Sequence, residues 1–243
     1  MIELVFENEN FIVCDKPGEV LSVPDRLGAA SDRSCLGIEL EKIKKIKIFP
    51  VHRLDFEVSG LIIYAKNSVA HKKSQMWFEN KLIHKTYRGV SLEQNFDHTK
   101  KWPEKIRAGF NPQIFKPEPG QKFIWTSQIA RGKKRSYQSP HGEWAETHAE
   151  LVSYEKPTAT HHEKSILFWN LSPVTGKSHQ LRFEMAQHGF PILGDQLYGS
   201  EMALDRVLWP FDGIGLRAIS LDLSSVPDRL GLPLKINLNP AQD

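Results

Sequence analysis

Apolar residues in this chain fall mostly into short runs of the length that strands use. The opening residues predict two strands, over 2–6 and 11–14, and the turn Lys16-Pro17-Gly18 ends the second. Further strands are predicted over 60–65, 83–90, 146–154, 165–171 and 214–223. The stretch 91–121 is rich in proline, asparagine and charge and has no clean period, which predicts extended loops.

Helical periodicity is confined to a few segments. Leu36, Leu40 and Ile43 recur near one face of a predicted helix over 34–45. Ser68 is a suitable N-cap for a helix that runs to Phe78, and Ser178 is suitable for one over 180–188. Many strands with a few helices among them predict an α+β fold, since a parallel α/β fold needs regular alternation.

Composition narrows the class of protein. The chain has 243 residues, 40% hydrophobic and 25% charged, which is typical of one globular protein with a sizeable core. No linker divides it, so a single domain over 1–243 is expected, acting as a monomer. It has neither an apolar run of ~18 residues nor the start of a signal peptide, and a cytoplasmic location is expected. Its two cysteines and its histidines have no metal-binding spacing, so neither metal nor cofactor is expected.

Charge is unevenly distributed along the chain. The net charge is only +3, but residues 81–135 contain thirteen Lys or Arg and four Asp or Glu, with aromatic residues interleaved. Basic side chains attract phosphate and aromatic faces stack on unpaired bases, so this segment favours a nucleic-acid partner. Within it, Lys133, Lys134 and Arg135 have little apolar periodicity and are expected to contact phosphates. The alternative is a solvated loop region whose aromatics belong to the core.

One short segment predicts catalysis. Val51-His52-Arg53-Leu54-Asp55 precedes Ser59-Gly60 and the apolar run 61–65. A carboxylate beside basic side chains, at the start of a buried strand, is held on a rigid edge and still reaches a substrate. Asp55 is therefore the candidate catalytic aspartate.

This segment resembles the His-Arg-Leu-Asp motif of the RluA-type RNA pseudouridine synthases, with Val58 where the family has threonine. Other elements of that family follow in the same order. They are Phe11 to Gly18, Leu21 to Pro24, Lys85-Thr86-Tyr87, Ser172 to Arg182, Gly189 to Asp195 and Tyr198-Gly199. The resemblance spans positions 11 to about 223.

The resemblance implies a mixed, largely antiparallel sheet, bisected by a catalytic cleft and flanked by helices and long loops. It implies isomerisation of uridine to pseudouridine in structured RNA, a tRNA loop, an rRNA loop or both, without a cofactor. No N-terminal S4 RNA-binding domain is expected, because the motif already begins near position 52.

Roles for individual residues follow from the resemblance. Asp55 corresponds to the catalytic aspartate, and Arg182 to the arginine that pairs with it. Burial disfavours an ionised carboxylate whereas a nearby guanidinium favours it, so Arg182 is expected to keep Asp55 charged. Tyr87 corresponds to an active-site tyrosine whose ring can stack on uracil, either as a platform or as the base that removes the C5 proton.

Four positions bear on RNA binding and specificity. His52 and Arg53 are expected to serve the RNA, because a target uridine must be flipped out of its loop. Lys177 stands where the family often has arginine, and a lysine loses bidentate phosphate geometry. Arg217 stands where the family commonly has histidine, so substrate preference is open at that position.

Two other classes of protein remain open. One is a non-catalytic RNA-binding or RNA-folding protein on the same scaffold, which has no reason to retain Asp55, Tyr87 and Arg182 together. The other is an unrelated hydrolase that uses Asp55, but no serine elbow, metal cluster or second paired carboxylate accompanies it.

Overall fold

The structure is a computed structural model and forms two compact units. It describes residues 2–25, 28, 31–107, 110–156, 164–200, 202, 204, 206 and 208–238. The first unit runs to Thr86 and also contains Phe211–Gly213 and the segment from Arg217 onward, while the second contains Tyr87–Pro210 and Ile214–Leu216. A single domain over the whole chain stays a prediction.

The described residues form strands and helices in an irregular order. The strands are β1 (Glu3–Glu7), β2 (Phe11–Lys16), β3 (Phe49–Pro50), β4 (Ser59–Ala65), β5 (His84–Leu92), β6 (Lys122–Arg131), β7 (Ser136–Gln138), β8 (Glu143–Glu155), β9 (Ile166–Pro173), β10 (Leu216–Asp222) and β11 (Lys235–Asn237). The helices are α1 (Leu36–Lys44), α2 (Ser68–Glu79), α3 (Glu104–Arg107) and α4 (Gln180–Gln187), with a 3₁₀ helix at Asp97–Lys101.

The first unit is built on strands in the order β1, β2, β4, β10. Strand β2 is antiparallel to both β1 and β4, whereas β4 and β10 are parallel. Every residue of β2 and β4 is buried, which explains their nearly continuous apolar sequence, since a strand covered on both faces needs no polar side. Helix α2 packs against β4, and the ring of Trp77 lies 5.7 Å from that of Phe11.

The second unit contains strands in the order β5, β9, β8, β6, β7, with each neighbouring pair antiparallel. Helix α4 packs against β6, β7 and β9. The fully buried ring of Trp169 anchors the core and lies 4.9 Å from Phe190 and 5.7 Å from Trp125. Strand β6 alternates buried and exposed residues, as a strand with one solvated face does.

The predicted fold class is confirmed: α+β, with mixed but largely antiparallel pairing and flanking helices. The catalytic cleft stays a prediction. Two predicted helix starts are wrong. Asn67, not Ser68, caps α2 by accepting the amide of Ala70 at 2.9 Å. His179, not Ser178, occupies the N-cap of α4 in a left-handed conformation. Within the stretch 91–121, β5 ends at Leu92, and the described residues that follow form loops as predicted, interrupted by the 3₁₀ helix and α3.

Gly60 permits the parallel pairing of β4 with β10. It lies opposite Ala218, with a positive φ of 111°. A Cβ built at this position would lie 2.5 Å from the Ala218 amide nitrogen and closer still to its carbonyl oxygen. Both the backbone conformation and the close approach therefore require glycine. The contact lies five residues after Asp55, so it also fixes where the loop that carries Asp55 ends.

We expect Gly60→Ala to lower the free energy of unfolding by about 2–5 kcal/mol, because strain and backbone overlap combine. Gly120→Ala is the matched control, since Gly120 also has a positive φ, of 83°, but a Cβ added there would have nothing within 4 Å. The control should lose only about 1–2 kcal/mol. Urea unfolding of both variants measures the difference, and equal losses would contradict the role of the strand contact.

Candidate functional site

The loop that carries Asp55 is held by hydrogen bonds from an upstream segment. Asp55 is half-buried between β3 and β4, and its carbonyl accepts the amide of Val58 at 3.1 Å. The Ser22 hydroxyl accepts the amide of Leu54 at 3.0 Å and donates to the Leu54 carbonyl at 2.8 Å. The Tyr64 hydroxyl in turn donates to the Ser22 carbonyl at 2.7 Å. The backbone on the N-terminal side of Asp55 is thereby fixed to the core of the first unit.

Lys16 is a component of this site that the sequence pattern did not predict. Its side chain is fully buried, and its Nζ donates to the carbonyls of Pro17 at 2.8 Å, Val20 at 2.7 Å and Phe56 at 3.4 Å. Burial lowers the pKa of Lys16 to about 8, while the negative charges of Asp55 and nearby acids oppose that shift. A buried cation therefore lies within electrostatic range of Asp55. The feature of the sequence that could have indicated this role is a lysine at the end of an apolar strand.

His52 and Arg53 differ in their surroundings. The Nε2 atom of His52 accepts the amide of Ile63 at 3.1 Å, and its ring stacks on Phe78 with centroids 4.8 Å apart. Burial lowers the pKa of His52 to about 3, and the charge of Lys85 adds to the effect. His52 is consequently neutral at physiological pH and ties the loop to β4 and α2. Arg53 is exposed. Contact of either side chain with RNA stays a prediction.

Tyr87 lies on β5 in the second unit. It is opposite Leu171 of β9, and only 9% of it is exposed. A buried tyrosine on a paired strand has a fixed ring position, as a stacking platform requires. Its catalytic role stays a prediction.

Arg182 is buried in α4, and its contacts with Asp195 and Tyr198 lie within the second unit. Its Nε and Nη2 atoms donate to the two carboxylate oxygens of Asp195, at 2.7 and 2.9 Å, and both residues are only 1% exposed. The guanidinium carbon lies 5.4 Å from the ring centre of Tyr198. Asp195 belongs to a sequence motif of the family, but the sequence predicted no individual role for it. The predicted pairing of Arg182 with Asp55 stays a prediction.

A buried polar network orients α4 and hence Arg182. The Gln180 amide donates to the carbonyl of Glu146 and the hydroxyl of Thr147, both at 2.9 Å, and its oxygen accepts the Thr175 hydroxyl at 2.7 Å. The Glu184 carboxylate accepts hydroxyls from Ser127 at 2.7 Å and Thr147 at 2.5 Å. Burial raises the pKa of Glu184. These bonds fix the rotation of the helix because they come from two strands and a loop.

The predicted phosphate contacts lie at the tip of a hairpin. Lys133 and Lys134 are exposed and Arg135 is half-buried, in the turn that joins β6 to β7. The Gly132 amide donates to the Arg135 carbonyl at 2.9 Å and closes this turn. Neither strand was predicted, so the basic segment is more ordered than its sequence indicated.

Two further basic side chains have acidic partners. Lys177 is half-buried and pairs with the carboxylate of Glu143, and its contact with RNA stays a prediction. Arg217 is 8% exposed, pairs with the carboxylate of Asp15 and lies over the ring of Phe211, 3.8 Å from the ring centre. The arginine that replaces the family's histidine therefore contributes a buried ion pair to the first unit.

The described residues contain neither a metal-binding cluster nor a membrane-spanning helix. No group of three or more His, Cys, Asp or Glu side chains among them could hold a metal ion. In the same part of the chain, no helix is long and apolar enough to cross a membrane.

Comparison with known proteins identifies the family. The profile of a family described as RNA pseudouridylate synthase matches residues 10–187. The dual-specificity RNA pseudouridine synthase RluA of Vibrio vulnificus is 31% identical over 199 residues, which are 81% of this chain and 68% of that protein. Its namesake in Vibrio parahaemolyticus is 30% identical over 203 residues, 83% of this chain and 70% of the other.

The fold agrees with this assignment. The structure of human RNA pseudouridylate synthase domain containing 1 superposes with a TM-score of 0.63 at 19% identity, covering 92% of this chain and 78% of that one. The chain therefore belongs to the RluA-type family of RNA pseudouridine synthases, isomerases that convert uridine in RNA to pseudouridine.

Proposed function

We propose that Asp55 is the catalytic carboxylate of this isomerase. The observation that carries the proposal is the way its loop is held, by Ser22 on the backbone and by the buried ammonium of Lys16 nearby. The reaction breaks the bond between N1 of uracil and C1′, turns the base and rejoins it through C5. Asp55 attacks C1′ or removes the C2′ proton, and either step requires an ionised carboxylate. The buried ammonium group of Lys16 places a positive charge near this carboxylate.

Tyr87 and Arg182 complete the proposed catalytic group. The freed uracil must be retained while it turns, and the Tyr87 ring offers a flat surface on which it stacks. Arg182 supplies a second positive charge for Asp55. Its orientation is supported by the bidentate contact with Asp195, since two parallel hydrogen bonds define the plane of a guanidinium group.

The proposed substrate is a uridine in a structured tRNA loop, an rRNA loop or both, and the enzyme acts as a monomer in the cytoplasm. Two bacterial relatives bear the name dual-specificity RNA pseudouridine synthase, which favours more than one RNA. The target base must leave its stack, which costs a few kcal/mol. Exposed Arg53 beside Asp55 and the basic hairpin offer compensating contacts with the flanking backbone.

Replacing Asp55 by asparagine should abolish pseudouridine formation and leave RNA affinity nearly intact, because the amide has the same shape but is neither nucleophile nor base. Tritium release from RNA labelled at C5 of uridine measures the reaction, and filter binding measures affinity. Activity within about tenfold of wild type, equivalent to about 1.4 kcal/mol of transition-state energy, would contradict the assignment. A non-catalytic RNA-binding protein would show no tritium release even as wild type.

Arg182→Lys should lower kcat by about 10²-fold, because lysine keeps the charge but loses the bidentate contact that sets its position. Single-turnover assays at saturating RNA isolate this effect from binding. Arg229→Lys is the matched control, since Arg229 donates to the nearby backbone carbonyls of Leu232 and Val226 in the first unit. If Arg182→Lys and Arg229→Lys have the same kcat, catalysis does not require the position that the bidentate contact gives to Arg182.

Neutralising Lys133, Lys134 and Arg135 to glutamine should weaken RNA binding and reduce the slope of log affinity against log salt by up to ~0.7–0.9 per lost phosphate contact. The control neutralises three exposed lysines of the first unit, Lys42, Lys45 and Lys72, with the same change in net charge. An equal slope in both triple variants would mean that the hairpin contributes only general charge.

A further inference from the structure

Tyr198 contacts two functional parts of the second unit through different atoms. It lies in the loop after α4 and is only 3% exposed. Its ring faces the guanidinium group of Arg182, whose edge of Nε and Nη2 is already bound by Asp195. The Tyr198 amide also donates to the Asp195 carbonyl at 3.1 Å, so the loop that supplies the carboxylate supplies the ring as well. Arg182 is thus held on one edge and on one face by a single loop.

The hydroxyl of Tyr198 reaches the basic hairpin. It accepts the backbone amide of Ser136 at 2.7 Å, and Ser136 follows directly on Lys133, Lys134 and Arg135. Nδ1 of His179, at the start of α4, lies 3.2 Å from the same hydroxyl. Burial raises the pKa of Tyr198, so the hydroxyl stays protonated at physiological pH.

A second hydrogen bond strengthens the junction between Ser136 of the hairpin and the segments next to α4. The Ser136 side chain donates to the carbonyl of Ser178 at 2.6 Å, just before α4 begins. One end of strand β7 is therefore fixed to the helix that carries Arg182, whereas Lys133 and Lys134 extend into solvent. Loss of the Tyr198 hydroxyl would leave a buried amide unsatisfied at this junction, which favours its rearrangement.

We propose that Tyr198 is a positioning residue with two separable roles, its ring orienting Arg182 and its hydroxyl holding the basic hairpin in the orientation that binds RNA phosphates. The proposal rests on the proposed function of Arg182 and of the hairpin. It predicts that a loss of the hydroxyl changes RNA binding and that a loss of the ring changes the chemical step.

The test compares Tyr198→Phe, Tyr198→Leu and the control Tyr137→Phe. Tyr137 lies on β7 of the same hairpin, so its change removes a hydroxyl from the hairpin without touching the junction. Tyr198→Phe should raise KM for RNA by about 3–10-fold, as expected for one hydrogen bond, with kcat unchanged within error. Tyr198→Leu should raise KM similarly and also lower kcat by about tenfold or more, since the aromatic face on Arg182 is lost.

A double-mutant cycle tests the route through the hairpin. Tyr198→Phe combined with neutralised Lys133, Lys134 and Arg135 should add little to the KM of the neutralised enzyme, because both changes remove the same RNA contact. Additive effects on KM would overturn the proposal. Equal KM values for Tyr198→Phe and Tyr137→Phe would also overturn it. So would a Tyr198→Phe enzyme whose kcat falls while its KM is unchanged. Thermal unfolding of each variant identifies any that fail to fold. If Tyr198→Leu fails to fold, the comparison of Tyr198→Phe with Tyr137→Phe still tests the role of the hydroxyl.

Separate measurements distinguish a failure of the Tyr198 roles from a failure of the proposed function. Tritium release by Asp55→Asn tests the catalytic assignment without involving Tyr198. The salt slope of the neutralised hairpin tests its contact with RNA, and an unchanged slope would overturn the hydroxyl role while leaving the Asp55 assignment intact.

Discussion

The second unit depends on keeping a charged guanidinium group in a buried position. Arg182 is 1% exposed, and a buried charge is expensive unless it is paired and hydrogen-bonded. Asp195 satisfies this requirement by accepting from two of its nitrogens, and Tyr198 covers one face. Removing one member of such a pair typically destabilises a protein by about 3–5 kcal/mol, so the loop after α4 and the helix itself are mutually constrained.

Buried cations recur in the first unit with different partners. The ammonium group of Lys16 donates to backbone carbonyls, and burial lowers its pKa to about 8, whereas Arg217 pairs with the carboxylate of Asp15 and lies over the ring of Phe211. Lysine suits the first position because a single ammonium can reach three carbonyls around one point. The same ammonium group donates to the carbonyl of Phe56 and lies within electrostatic range of Asp55, so it contacts the loop that carries Asp55.

Pseudouridine formation makes different demands on the chemical step and on RNA binding. The isomerisation needs a positioned carboxylate and a retained base, and both depend on rigid backbone such as the Ser22 contact with Leu54. Capturing a flipped uridine is favoured by positive charge spread over a larger surface, and we propose that the solvated tip at Lys133 and Lys134 supplies it. In the second unit, the hydroxyl of Tyr198 accepts the amide of Ser136 while its ring faces Arg182, so one residue joins the two proposed functions.

Elements with a local signal could be predicted from the amino-acid sequence alone, whereas the partners of the buried charges could not. Continuous apolar runs predicted β2 and β4, and the motif around Asp55 was placed correctly in the loop before β4. Strand β6 escaped prediction because the alternation is broken in its sequence: the apolar Ile124 faces solvent, and the polar Ser127 is buried. The pairing of Arg182 with Asp195 spans 13 positions, and that of Arg217 with Asp15 spans 202. No periodicity encodes these separations, because an ion pair is chosen by proximity after the strands and helices have taken their places.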